Sequence, residues 1–335
     1  MKRKPYILLL TILLITSNIT LLFGWGYWAH QRINRAAVFA LPDSMGVFFY
    51  NHIDFITEEA VMPDVRIYAI NYREEANRHY IDLEMLPDTT YNKMPATLAE
   101  AKTKYGDSLL QKSGLLPWYI DDIMTKLTKA FRDKNKPYIL FYSADLAHYI
   151  GDAHVPLHTT INHDGQLTGQ KGIHSFWESE MTERFGDSYN LYTGNAVYID
   201  DTKKETWRII QNSHQLVDTL LLKEKELRQQ FPGDESYIKD SAGNVLKNSY
   251  NQSKHTDAYI QKYHEMLNGM EGRQLRLSIA DVSNFWYTAW INGGRPDLAG
   301  LDPASLTQRN KKLYKKDLKL WKTGKLFGVK TSKEF

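Results

Sequence analysis

The chain of 335 residues contains no cysteine. That absence excludes disulfides, a Cys-rich zinc module, a thiol nucleophile and a lipoprotein attachment site. Signals for β-strands are sparse, and no internal repeat is found. Acidic residues are missing from the first 24 positions, where Lys2, Arg3 and Lys4 precede an apolar run interrupted by Thr16, Ser17 and Asn18. Such a segment reads as an export signal, with an uncleaved membrane anchor as the alternative. Gly24 is small enough to precede a cleavage before Trp25, although Leu22 is not the preferred small residue two positions earlier.

Hydrophobic residues make up 42% of the chain, an ordinary share for a globular protein, and the 21 tyrosines favour a packed core or an aromatic-lined cleft. Charge is unevenly spread. Residues 307–335 carry ten basic and two acidic side chains, and residues 1–24 three basic ones. With an overall charge of +3, residues 25–306 are therefore left at −8. An acidic body suits a site built from carboxylates around cations. The basic tail can touch nucleic acid or anionic lipid, or can be a solvated end. The length fits one large domain at 25–306 between signal segment and tail.

Apolar spacing predicts a mostly helical body. Residues 28–41, 45–61, 95–114, 116–136, 137–154, 173–186, 204–231 and 258–293 read as helical runs punctuated by Gly or Pro. Pro137 is placed for a first turn. The stretches 161–173 and 232–254 read as loops within the one domain.

Three of the eleven histidines fall within residues 143–158, SADLAHYIGDAHVPLH. His148 and Asp152 are four apart, on one helical face. His158 follows Pro156, where that helix should end. His174 and Glu178 repeat the four-residue spacing. His79 and Asp82 lie in NRHYIDLE, Asp64 follows a proline, and His30 comes five residues after Trp25. One such pair is ordinarily a satisfied ion pair. Several in one cysteine-free chain point to a borderline metal such as zinc, which takes imidazole and carboxylate together.

In order and spacing these residues resemble the superfamily of single-strand-specific zinc nucleases and bacterial zinc-dependent phospholipases C. HYIGDAHVPLH is similar to its core motif. The resemblance implies an all-α fold, a single large multi-helix domain with a trinuclear zinc cleft. It implies an exported phosphodiesterase that begins at Trp25, whose α-amino group and carbonyl ligate one zinc together with His30. Asp64, His79, His148 and Asp152 would hold a second zinc, with Asp152 bridging the two. His158, His174 and Glu178 would hold the third. Asp64 is the catalytic candidate that orients or deprotonates the attacking water. Tyr80 would stack on a base while Asp82 bonds its edge, the usual way of holding single strands.

The Trp25-to-His30 interval and HYIDLE resemble the nuclease branch, whereas Glu178 is the phospholipase choice. The phosphate-contacting arginine expected three residues after Asp64 is absent: Ile67 is there, and Arg66 is one position early. His154 is read as packing or support. His52 and Asp54 are read as surface or capping residues. His163, His214, His255 and His264 lack partner spacing, and Trp28 and Trp177 are read as walls.

Three functions follow in order of preference. The first is a nuclease or nucleotidase acting as a monomer on single-stranded nucleic acid or nucleotides. The second is a phospholipase C acting on phospholipid head groups, with the tail as a surface anchor. The third is a non-enzymatic metal-binding or cell-surface protein.

Overall fold

The computed structural model describes residues 25–87, 93–248, 251–302 and 304–324. The expected export segment at 1–24 and the end of the basic tail lie outside the described residues. The fold is all-α, and no strand occurs among the described residues. Three isolated β-bridges lie in and beside the expected loop at 232–254: Tyr237 with His255, Lys239 with Val245, and Lys247 with Ser253. No helix among the described residues is long and apolar enough to cross a membrane.

The helices are α1 (Tyr27–Ala37), α2 (Asp43–Asn51), α3 (Ile53–Glu58), α4 (Met62–Ala69), α5 (Leu98–Tyr105), α6 (Asp107–Ser113), α7 (Leu116–Arg132) and α8 (Lys136–Ala153). They continue with α9 (Ile173–Ser175), α10 (Met181–Phe185), α11 (Thr202–His214), α12 (Val217–Arg228), α13 (Asp257–Leu267), α14 (Met270–Asn292) and α15 (Ala304–Trp321).

α8 is the central element. The Asn135 side chain accepts the Tyr138 N–H at 3.3 Å, and Pro137 occupies the first turn, so the N-terminus is capped. From Ser143 to Ala153 every residue is buried, so this half of the helix is enclosed on all sides. α7 packs against it and buries Ile120, Ile123, Leu127 and Phe131 in the core. α1 and α14 also pack on α8. Asn34 of α1 donates to the carbonyls of Ile56 and Ala144, and the Trp286 indole of α14 donates to Ser143 O at 2.9 Å. These bonds satisfy polar groups that burial would otherwise strand.

Some runs expected to be continuous are broken. Residues 45–61 divide at His52, which leaves the helical region at φ −116°. Residues 204–231 divide at Gln215 and Leu216. Residues 258–293 divide at Asn268 and Gly269, both left-handed at φ 51° and 72°. The basic tail also differs from a solvated end. It is helical through Trp321 and packs on α2, with Tyr314 and Trp321 buried and the Tyr50 hydroxyl donating to Asp317. Gly46 of α2 has no room for a side chain because Tyr314 lies against it.

Candidate metal centre

The second half of α8 presents His148 and Asp152 one turn apart, with His148 Nε2 3.3 Å from Asp152 Oδ2. The His148 Nδ1–H donates to the Ala60 carbonyl at 2.8 Å. A carbonyl can only accept, so this bond fixes the tautomer and leaves Nε2 facing the cluster. α1 delivers His30, whose ring stacks on His148 at 3.8 Å and whose Nε2 lies 3.4 Å from Asp152 Oδ1. This close approach depends on Gly151: a β-carbon there would come within 3.3 Å of both His30 and Trp25. The Trp25 indole donates to Gly151 O at 2.8 Å, and its ring lies 5.0 Å from Trp177.

α4 supplies Asp64, and the turn after Arg78 supplies His79. His79 Nδ1 lies 3.6 Å from Asp64 Oδ1, 3.0 Å from Asp152 Oδ2 and 3.1 Å from His148 Nε2. Asp152 therefore turns one oxygen to His30 and the other to His79 and His148.

Beyond α8, Pro156 starts a short 3-10 turn that carries His158. Its Nδ1–H donates to the His79 carbonyl at 2.6 Å, so Nε2 faces Glu178 at 3.7 Å. His174 Nε2 lies 3.0 Å from the same Glu178 oxygen. The helix carrying these two residues contains one π-turn, Phe176–Glu180, a widening common at functional sites. Asp164 accepts the backbone N–H groups of Gly172 and His174, pinning the start of that helix.

Three sets of side chains are thereby gathered closely enough to hold metal ions: His30, His148 and Asp152; Asp64, His79 and His148; and His158, His174 and Glu178. All of these residues are buried. Burial drives His30 down to about 3 with help from His148, and drives His174 well below its usual range with help from His158. Burial also opposes a charge on His148, but Asp152 and Asp64 outweigh it and hold that imidazole at about 9. Asp152 stays well below the usual carboxylate range despite its burial, held there by His148 and then His158.

A metal fits this set on two counts. The donors are imidazole nitrogen and carboxylate oxygen, the chemistry zinc accepts. Both ring nitrogens of His30 and of His174 are buried without a well-formed hydrogen bond, each Nε2 facing only a carboxylate, Asp152 or Glu178. A buried polar atom left in that state costs about 1–3 kcal/mol, which a bound cation removes.

No protein-family model and no curated protein matches the chain. The site is therefore read from its own geometry.

Tyr80 and Asp82 line a small cavity of about 70 Å³ together with Leu157, His158, His163 and His174. The third residue set thus opens directly onto them. Burial, with Glu84 nearby, pushes Asp82 up to about 7, and burial with Asp82 nearby pushes Tyr80 up to about 12. His163 belongs to this cavity although its sequence context gave no sign of it.

Arg66 is engaged by neighbouring side chains. Its guanidinium grips Asp145 through two bonds of 3.2 and 2.9 Å and also contacts Tyr149 and Glu75. Glu75 is a fully buried carboxylate that sequence reading passed over. The signal was present, since Glu75 and His79 are four apart. The remaining histidines have partners outside the three residue sets. His154 bonds Asp281, His52 bonds Asp302, His214 meets Thr159, His255 bonds Glu180 and His264 bonds Glu271. Asp54 is an exposed partner of Arg35, and Trp28 packs under Arg32.

Proposed function

We propose that the chain is an exported zinc-dependent phosphodiester hydrolase of the nuclease and phospholipase C superfamily, acting on single-stranded nucleic acid or nucleotides. The observation that carries this reading is the sharing of Asp152. One carboxylate facing His30 on one side and His79 and His148 on the other suits two adjacent cations, and His158, His174 and Glu178 supply a third site beside them. Zinc bound there supplies Lewis acidity and a charge clamp for an in-line displacement at phosphorus.

The chain's own residues do the rest. Asp64, buried against His79 and His148, orients the attacking water and takes its proton. Tyr80 offers its ring face to a base at the cavity wall. Asp82, on the same cavity wall, offers its carboxyl to a base edge. The enclosing walls of Leu157 and Trp177 exclude water from the reacting centre.

A phospholipase reading draws on two observations. Glu178 is the acid that branch uses, and Ile161 and Leu167 are exposed on the loop that carries His163.

The deciding experiment incubates purified protein starting at Trp25 with denatured DNA and, separately, with phosphatidylcholine vesicles, each with and without a chelator. Chelator-sensitive cleavage of DNA with inert vesicles is expected. Tyr80→Ala should then weaken nucleotide binding by about 1–3 kcal/mol with zinc content unchanged. Diacylglycerol release from vesicles with intact DNA would move the assignment to the lipid substrate. Inertness toward both would overturn it.

A further inference from the structure

Of the imidazoles in the cluster, His148 and His158 have their outward nitrogen fixed by a backbone carbonyl. His79 is held differently. Its Nδ1 faces Asp64, Asp152 and His148, and its Nε2 points away from them without a hydrogen bond. The group that this nitrogen faces is Glu75, with Oε1 at 3.9 Å.

Glu75 is fully buried, an expensive place for a carboxylate, and it is held by three donors. The Tyr149 hydroxyl and Arg66 Nη2 donate to Oε1, and Arg78 Nη1 donates to Oε2 at 2.8 Å. Arg66 is itself gripped by Asp145, so two guanidiniums and two carboxylates balance in charge. Asp145 and Tyr149 flank His148 on α8. The network therefore lies directly behind two of the metal-facing imidazoles.

Such a cluster adds little net stability compared with apolar packing, because desolvation offsets most of its attraction. Its location suggests another use. A carboxylate beside the outward nitrogen of a metal-binding imidazole favours the tautomer that keeps the proton there, holds the ring plane and raises the basicity of the inner nitrogen. We propose that Glu75 is a positioning residue of the metal centre, setting the orientation and donor strength of His79 from a site clamped by Arg66, Arg78 and Tyr149. This rests on the metal-centre reading, and it holds whichever phosphodiester is the substrate.

The test measures zinc affinity by competition with a chromophoric chelator, with no substrate present. It compares wild type, Glu75→Gln, Glu75→Asp and Asp145→Asn. Asp145→Asn breaks the same ion network through Arg66 but leaves the carboxylate behind His79. Circular dichroism and melting of the metal-free forms confirm folding. Glu75→Gln should weaken one zinc site by about 10–100-fold. Glu75→Asp, which keeps the charge, should recover part of that loss, and Asp145→Asn should stay within a few-fold of wild type. The ligand-field bands of the cobalt-substituted protein should shift in Glu75→Gln and not in Asp145→Asn. Unchanged affinity in Glu75→Gln, or equal weakening in Glu75→Gln and Asp145→Asn, would overturn the proposal while leaving the metal centre standing. A wild type that binds no zinc would overturn both.

Discussion

Replacing Asp152 with asparagine removes one charge and almost no volume, and two consequences can be worked out in advance. The first concerns the metal-free protein. Asp152 and Asp64 hold His148 at about 9, above the 6.5 of an imidazole in the unfolded chain. A folded-state value raised in this way stabilises the fold fully below about pH 6.5 and is lost as pH rises through about 9. At about 1.4 kcal/mol per pH unit, the interval from pH 7.4 to 9 contributes on the order of 2 kcal/mol. Asp64 remains in the variant, so Asp152→Asn should cost about 1–2 kcal/mol at pH 7.4. The cost should be somewhat larger at pH 6 and should shrink toward zero above pH 9. Urea titrations of the metal-free protein at the three pH values measure it. The second consequence concerns metal. Two of the three residue sets face Asp152 and the third does not contain it. Zinc content by mass spectrometry should therefore fall from about three per chain to about one. A destabilisation that does not change with pH would refute the electrostatic argument. Loss of a single zinc would refute the shared carboxylate.

Zinc uptake should release protons at pH 7.4, because His148 carries one below about pH 9 and must lose it to ligate. Calorimetry in two buffers of different ionisation enthalpy reads this directly, and identical heats in both would contradict it. Trp321→Ala should destabilise the fold by about 3–5 kcal/mol while leaving zinc content intact, because that indole is buried beneath α15 away from the centre. A change within about 0.5 kcal/mol by denaturant unfolding would mean that α15 does not dock in solution. Protein starting at Trp25 should bind about one more zinc than protein extended by a few residues, since an amide nitrogen is a poor ligand where a free amine is a good one. Equal zinc content in the two would remove the α-amino group from the centre.

The readable parts of the sequence were those in which chemistry is local. His148 with Asp152, and His174 with Glu178, follow from four-residue spacing alone. What spacing cannot show is that α1, α4 and the turn at His79 converge on the same few ångströms. The order of the residues suggested this through resemblance, and the packing of α1 on α8 past Gly151 provides the physical means. Glu75 has the same spacing to His79, but it lies on a 3-10 segment dense in charge, where such pairs usually face solvent. His163 stands on a loop, and loops carry no period from which a side chain's direction can be read. Helix breaks at His52 and at Asn268–Gly269 were hidden because the apolar pattern runs on through them. The lysines of α15 concealed the opposite signal: Tyr314, Leu318 and Trp321 at helical spacing on the buried face.

The docking of α15 also shapes how the molecule behaves toward others. Residues 304–324 carry seven basic side chains and one acidic one, fixed against a body whose residues 25–306 sum to −8. From residue 25 onward the side-chain charges sum to zero before any cation is bound, and a basic excess is concentrated on one docked helix. The metal-free protein should be held by a cation-exchange resin through α15 at low salt, although its net charge alone predicts no retention. At low ionic strength the basic helix should be drawn to anionic surfaces. That attraction fades once the screening length falls to about 10 Å, near 0.1 M salt.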